Sequence, residues 1–142
     1  MKAELWFYCG PPRLFDRLIR RWTRSRFSHV ELVVDDAIAC SADAWEGNVR
    51  IRSTSGFNRL HWEIVPVVLV KDTAWINEQL GKKYDWLGIF GFTFFGVQDK
   101  RRWYCSELCA ELAGIAGRPI SPQQLYDAVL GIRTQNAGTS NG

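Results

Sequence analysis

The sequence offers little to metal or disulfide chemistry. Its 142 residues include two histidines, four cysteines and one methionine. No CxxC pair is present, and His29 and His61 are poorly spaced from the cysteines for a zinc site. The longest apolar stretch, 86–97, falls short of the roughly 20 residues a membrane-spanning helix needs. The first residues, MKAELWFYCG, hold one lysine and no long apolar core, so the pattern of a signal peptide is lacking. Neither an internal repeat nor a linker is visible. These absences lead us to expect a cytoplasmic setting, free thiols, no metal and no cofactor.

Charge of one sign is also scarce. The net charge is +3 and the isoelectric point near 8.8, too weakly basic to argue for nucleic acid. The basic excess is local: Arg13, Arg17, Arg20, Arg21, Arg24 and Arg26 crowd one early stretch. The plain reading is the solvated face of a helix. The sharper one is a contact with an anionic surface such as a lipid headgroup, a cell-wall polymer or a phosphate backbone.

What is present suits a folded domain. The hydrophobic fraction is 46% and the charged fraction 23%, which excludes disorder over the whole chain. One domain over 1–133 is expected, with 134–142 a flexible tail rich in Gly, Ser and Asn. Residues 3–8 read as a strand stopped by Gly10-Pro11-Pro12. Leu14, Phe15, Leu18, Ile19 and Trp22 recur at helical spacing. Residues 28–34 and 37–43 read as a hairpin turning at Asp35-Asp36, and 48–53 as a half-exposed strand. After a loop, 62–70 read as a strand with Pro66 marking an edge or bulge. Asp72 or Thr73 caps a helix ending at Gly81. A glycine-broken helix over 86–97 and a solvated loop at 99–102 come next. A helix is expected over 105–116, and another opens at Ser121-Pro122. The order predicts an α+β fold, an antiparallel sheet or partial barrel packed against helices.

Cys105 opens a predicted helix. The partial positive charge and unpaired N–H groups of a helix N-terminus favour a thiolate there and can hold a developing oxyanion. The plain alternative is a small buried apolar residue. A thiol nucleophile needs a base, and the base an orienting partner. His29, near the start of a strand, is the better placed of the two imidazoles. Its partner depends on hairpin register. A loop of Val34–Asp36 sets Ser41 opposite His29, with Asp43 diagonal. Glu31 shares the face, but neighbours at that spacing along one strand are ~7 Å apart. The order of preference is therefore Ser41, then Asp43, then Glu31.

Three segments together carry a family resemblance: Ser28-His29-Val30-Glu31-Leu32, Gly81-Lys82-Lys83-Tyr84-Asp85-Trp86, and Tyr104-Cys105-Ser106-Glu107-Leu108. In order and spacing they resemble the circularly permuted NlpC-type papain-like cysteine hydrolases, the YiiX/YaeF-like group, kin of the lecithin retinol acyltransferase-like proteins. The histidine precedes the cysteine, as in the permuted branch. The resemblance spans roughly residues 3–130. It implies a permuted papain-like fold, Cys105 as nucleophile, His29 as base and the position of Ser41 as the third polar residue. Relatives often carry His, Glu or Gln at that third position, and a serine stabilises an imidazolium less than a charged partner does. The resemblance further implies a thiol amidase, peptidase or acyltransferase acting through a thioester on a peptide, peptidoglycan or lipid-like substrate, with Tyr8 and Tyr104 bordering it. The rival expectations are a binding module of the same fold with little or no activity, and a basic surface-binding module built on Arg13–Arg26.

Overall fold

The computed structural model describes residues 2–85, 102–117 and 121–139. A buried strand, β1 (Ala3–Tyr8), precedes helix α1 (Leu14–Trp22). Strands β2 (His29–Val34), β3 (Ile38–Asp43) and β4 (Asn48–Ser53) follow as a meander. A 3-10 turn at Arg59–His61 leads into β5 (Trp62–Val67), then helix α2 (Thr73–Gln79). The short strands β6 (Lys83–Tyr84) and β7 (Arg102–Trp103) and the helices α3 (Cys105–Leu112) and α4 (Pro122–Thr139) complete the described residues. The expected helix over 86–97 and loop at 99–101 lie outside them.

The strands form one curled, mixed sheet in the order β5-β1-β2-β3-β4-β6-β7, antiparallel except for the β6–β7 pair. With its helices this is an α+β architecture. Pro66 lies on the edge strand β5, where its missing N–H breaks no inner ladder. Asp72 caps α2 by accepting from the Trp75 N–H at 2.8 Å, and Gly81 follows at φ +77°, a left-handed turn suited to glycine. Ser121 accepts from the Gln124 N–H at 3.2 Å, with Pro122 in the first helical position.

Three expectations need correction. Helix α3 stops at Leu112 rather than near Ala116, because the Leu112 carbonyl accepts from the Val70 N–H at 3.0 Å. Gly114 then turns at φ +64°, and a Cβ there would sit 2.7 Å from Val70 Cγ1. Helix α4 runs on to Thr139, so most of the expected tail is helical. The β2–β3 loop is Asp35–Ala37, one residue later than expected: Asp35 and Asp36 both take positive φ, and Lys2 anchors both carboxylates.

Alternation along the strands gives the sheet two unlike faces. Leu5, Phe7, Val30, Leu32, Cys40, Ala42, Val49 and Val65 share one core with Leu108, Leu112, Leu125 and Val129 of the helices. Truncating Leu108 or Leu112 to alanine would cost about 2–5 kcal/mol. The other face buries Trp6, Val33 and Ala39 under Phe57, Trp62 and Ile64, and it also carries the charged groups of the site. No helix among the described residues is long and apolar enough to cross a membrane.

Candidate active site

The site follows from strand register. Trp6 pairs with Glu31 and Tyr8 with His29 across β1–β2, while Ser41 pairs with Arg50 and Asp43 with Asn48 across β3–β4. Between β2 and β3 the ladder runs Val34–Ile38, Val33–Ala39, Leu32–Cys40. Carried on, it sets Glu31 across from Ser41 and His29 across from Asp43. Trp6, Glu31, Ser41 and Arg50 thus form one cross-strand row, and Tyr8, His29 and Asp43 the next, all on one face.

His29 Nε2 lies 2.9 Å from Glu31 Oε1. Glu31 is wholly buried and also accepts from Arg50, whose two terminal nitrogens reach its oxygens at 3.1 and 2.7 Å, and from Arg52 at 3.3 Å. The Arg50 guanidinium, itself buried, bridges onward to Asp43 Oδ2. The other Asp43 oxygen accepts from the Trp45 and Glu46 N–H groups at 2.8 and 3.1 Å.

The partner of the imidazole is therefore Glu31, not Ser41. The shifted loop moves Ser41 opposite Glu31, and its hydroxyl donates to the Val30 carbonyl at 2.7 Å. Asp43 is engaged by Arg50 and the following turn. Glu31 succeeds where backbone spacing argued against it because its long side chain lies along the strand and closes the gap. The small Ser41 leaves room between Glu31 and Arg50 for that ion pair.

Cys105 opens α3 close enough to His29 for its sulfur to act on the charge of the imidazole. Burial works against a charged imidazole. The Glu31 carboxylate and the Cys105 sulfur outweigh it and raise the His29 pKa from 6.5 to about 10. Burial likewise opposes a charged Glu31, but His29 and Arg50 hold its carboxyl below the usual range. Asp43 is lowered against burial by the His29 charge and by Arg50. Burial and the Glu31 charge push the Cys40 thiol up to about 12, and burial pushes Cys109 well above the ordinary range. The described ligand atoms nearest to a metal set belong to His29, Glu31 and Asp43, within 4.8 Å of one another. The Arg50 guanidinium already sits against both carboxylates, so this cluster is built around an internal cation.

A cleft of about 650 Å³ opens beside the imidazole, lined among others by Tyr8, His29, Asp43, Arg52, Phe57 and Trp62. Ser28 lines it too, and its buried hydroxyl has no partner among the described residues. Tyr8 borders the cleft. Tyr104 does not: it is buried as the N-cap residue of α3. Cys105 is 4% exposed and absent from the lining, so the imidazole is the member of the pair that faces the cleft.

Arg50 escaped the sequence reading, which took NVRIRS for a half-exposed strand. A signal was available: Glu31 stands within an otherwise buried strand, and a buried carboxylate demands a cation. No family model matches the chain, and no curated protein matches it.

Proposed function

We propose that this protein is a cysteine hydrolase or acyltransferase acting on an amide or ester carbonyl, built on a circularly permuted papain-like fold. One observation carries the reading: a cysteine opening a helix lies close to an imidazole that a buried carboxylate holds at 2.9 Å. With its pKa raised, the charged His29 is the proton donor that attack by the Cys105 sulfur needs beside it. The Cys105 sulfur attacks the carbonyl carbon, and the N–H groups of the first turn of α3 face the resulting oxyanion. Collapse breaks the bond to the leaving group, which takes the His29 proton, and a thioester remains. Water or an acyl acceptor then gives its proton to the neutral imidazole and attacks the thioester. The acyl product departs and the starting site is restored.

The test is thiol reactivity in a Cys9→Ser background, which removes the exposed thiol. Iodoacetamide at pH 6, with peptide mass mapping, should modify Cys105 first, and His29→Ala should slow that modification at least ~10-fold. Equal, slow labelling of every thiol, or indifference to His29→Ala, would overturn the reading. The depth of Cys105 favours one alternative, a ligand-binding module whose thiol is silent. In that case Cys105 stays unlabelled while ligands still enter the cleft.

A further inference from the structure

Helix α1 is nine residues long, about 13 Å. Its inward side is Ile19, buried, with Phe15 and Asp16 at the cleft. Its outward side is divided. Leu14, Leu18 and Trp22 follow one another at one-turn intervals and are 85%, 47% and 50% exposed. Alongside them runs a second ridge of exposed arginines, Arg17 and Arg21, continued by Arg24, while Arg13 lies at the cleft. Among the described residues none of these three ridge arginines makes an ion pair, whereas Arg26 is held by Glu63 and Arg20 by the Tyr8 and Gly10 carbonyls. The helix's one acid, Asp16, is turned to the cleft and accepts from the Arg13 N–H at 2.9 Å. Trp45, 71% exposed, packs edge-on against Phe15 and adds a large ring at the cleft side of the same helix.

We propose that the outward face of α1 docks the protein on an anionic lipid surface, with the cleft mouth beside the line of contact. Charge complementarity selects this occupant. A nucleic-acid backbone would satisfy the arginines but leave Leu14 and Leu18 in water. Headgroups above acyl chains reward both ridges at once: the arginines stay at the phosphates while the leucines enter the acyl boundary. The inference rests on surface residues alone and stands whether or not Cys105 is catalytic.

The test is co-sedimentation of the full chain with vesicles of phosphatidylcholine alone or mixed with phosphatidylglycerol, at low and high salt. Binding is expected only with the anionic lipid and should weaken as salt rises. Each arginine at such a surface is worth roughly fivefold in affinity, so Arg17→Gln with Arg21→Gln should lose roughly 30-fold. Leu14→Ser with Leu18→Ser should lose at least about tenfold. All four positions are solvent-facing, and circular dichroism confirms that each variant is folded. Three results would overturn the proposal. One is no binding to the anionic vesicles at low salt, or binding that ignores both double variants. Another is tight binding to duplex DNA that Leu14→Ser with Leu18→Ser leaves intact. The third is a concentration-dependent dimer abolished by those serines in a protein that ignores vesicles.

Discussion

Replacing Glu31 by glutamine keeps the size of the side chain and removes its charge. In the native site Glu31 Oε1 lies 2.9 Å from His29 Nε2, and the carboxylate is the largest influence holding the proton on the ring. Loss of an opposite charge at such a distance shifts a pKa by about 1–3 units. His29 should therefore fall from about 10 to roughly 7–9. Burial, which opposes the charged ring, then acts with less resistance. Arg50 keeps only Asp43 as a carboxylate partner within the buried group, and breaking a buried pair costs about 3–5 kcal/mol. Domains of this kind have about 5–15 kcal/mol in all, so Glu31→Gln should fold with a clearly lower thermal midpoint. The assay is the pH titration of the histidine ring carbons by NMR. With two histidines in the chain, His61→Gln assigns both signals. At pH 8 the native His29 should be almost fully protonated and the variant partly neutral. The reasoning fails if His29 titrates at the same pH in both proteins, or if the native ring titrates near the ordinary 6.5.

Arg50→Met leaves Glu31 and Asp43 facing each other without their shared cation; it should cost about 3–5 kcal/mol in urea unfolding and loosen His29, seen as broadening of its ring signals. A loss under ~1 kcal/mol would show that the guanidinium is not the hub of the group. Ser41→Ala removes the hydroxyl from the Val30 carbonyl; it should cost about 1–2 kcal/mol while His29 titration and Cys105 labelling stay as in the native protein. Sharply slower Cys105 labelling in that variant would restore Ser41 as the third residue. Stability should also depend on pH in a definite sense. The His29 pKa is raised in the folded state, so its contribution is full below 6.5 and drains away as the pH climbs toward about 10. Glu31 and Asp43 are lowered, so theirs is present above the ordinary carboxylate values of 4.5 and 3.8 and is lost in acid. The thermal midpoint should plateau between those limits, and His29→Gln should flatten the alkaline side; a native midpoint unchanged from neutral pH to pH 9 contradicts this.

Much of the fold was legible because local signals agreed with tertiary ones. The apolar runs AELWFY and HVELVV, the Asp72 and Ser121 caps and the edge-marking Pro66 each act within a few residues of themselves. Other features depend on partners far away in sequence. The two-residue strands β6 and β7 exist by pairing with each other, and β6 with β4, so no periodicity announces them. Helix α3 ends early because a distant Val70 takes its last carbonyl. The site divides in the same manner. Cys105 and His29 stood out by residue type and position on their elements, whereas the partner of His29 turned on a single loop residue. A hairpin loop at Asp35–Ala37 rather than Val34–Asp36 slides β3 along β2, exchanges the residue facing His29 and leaves every side chain on its original face. Hydrophobic patterning cannot detect such a shift, because the apolar residues keep their sides.

The charged group is costly by any stability argument, and that cost bears on its use. Its neighbours on the same sheet face, Trp6, Val33 and Ala39, show that the surface packs well with apolar side chains. Apolar residues in place of a buried ion group are commonly neutral or better for stability. What they would not supply is direction. Two side chains at alternate positions of one strand stand roughly parallel, and nothing in the backbone turns one toward the other. Arg50 grips both oxygens of Glu31 from two strands away and is itself held by Asp43, which is tied to the turn after β3. This chain of bonds leaves Glu31 one place to put its charge, against His29 Nε2. The ring plane is thereby set and the proton kept. Nδ1 is the ring nitrogen that Glu31 leaves open. The third residue of the site is better described as a carboxylate with its own scaffold than as a single side chain.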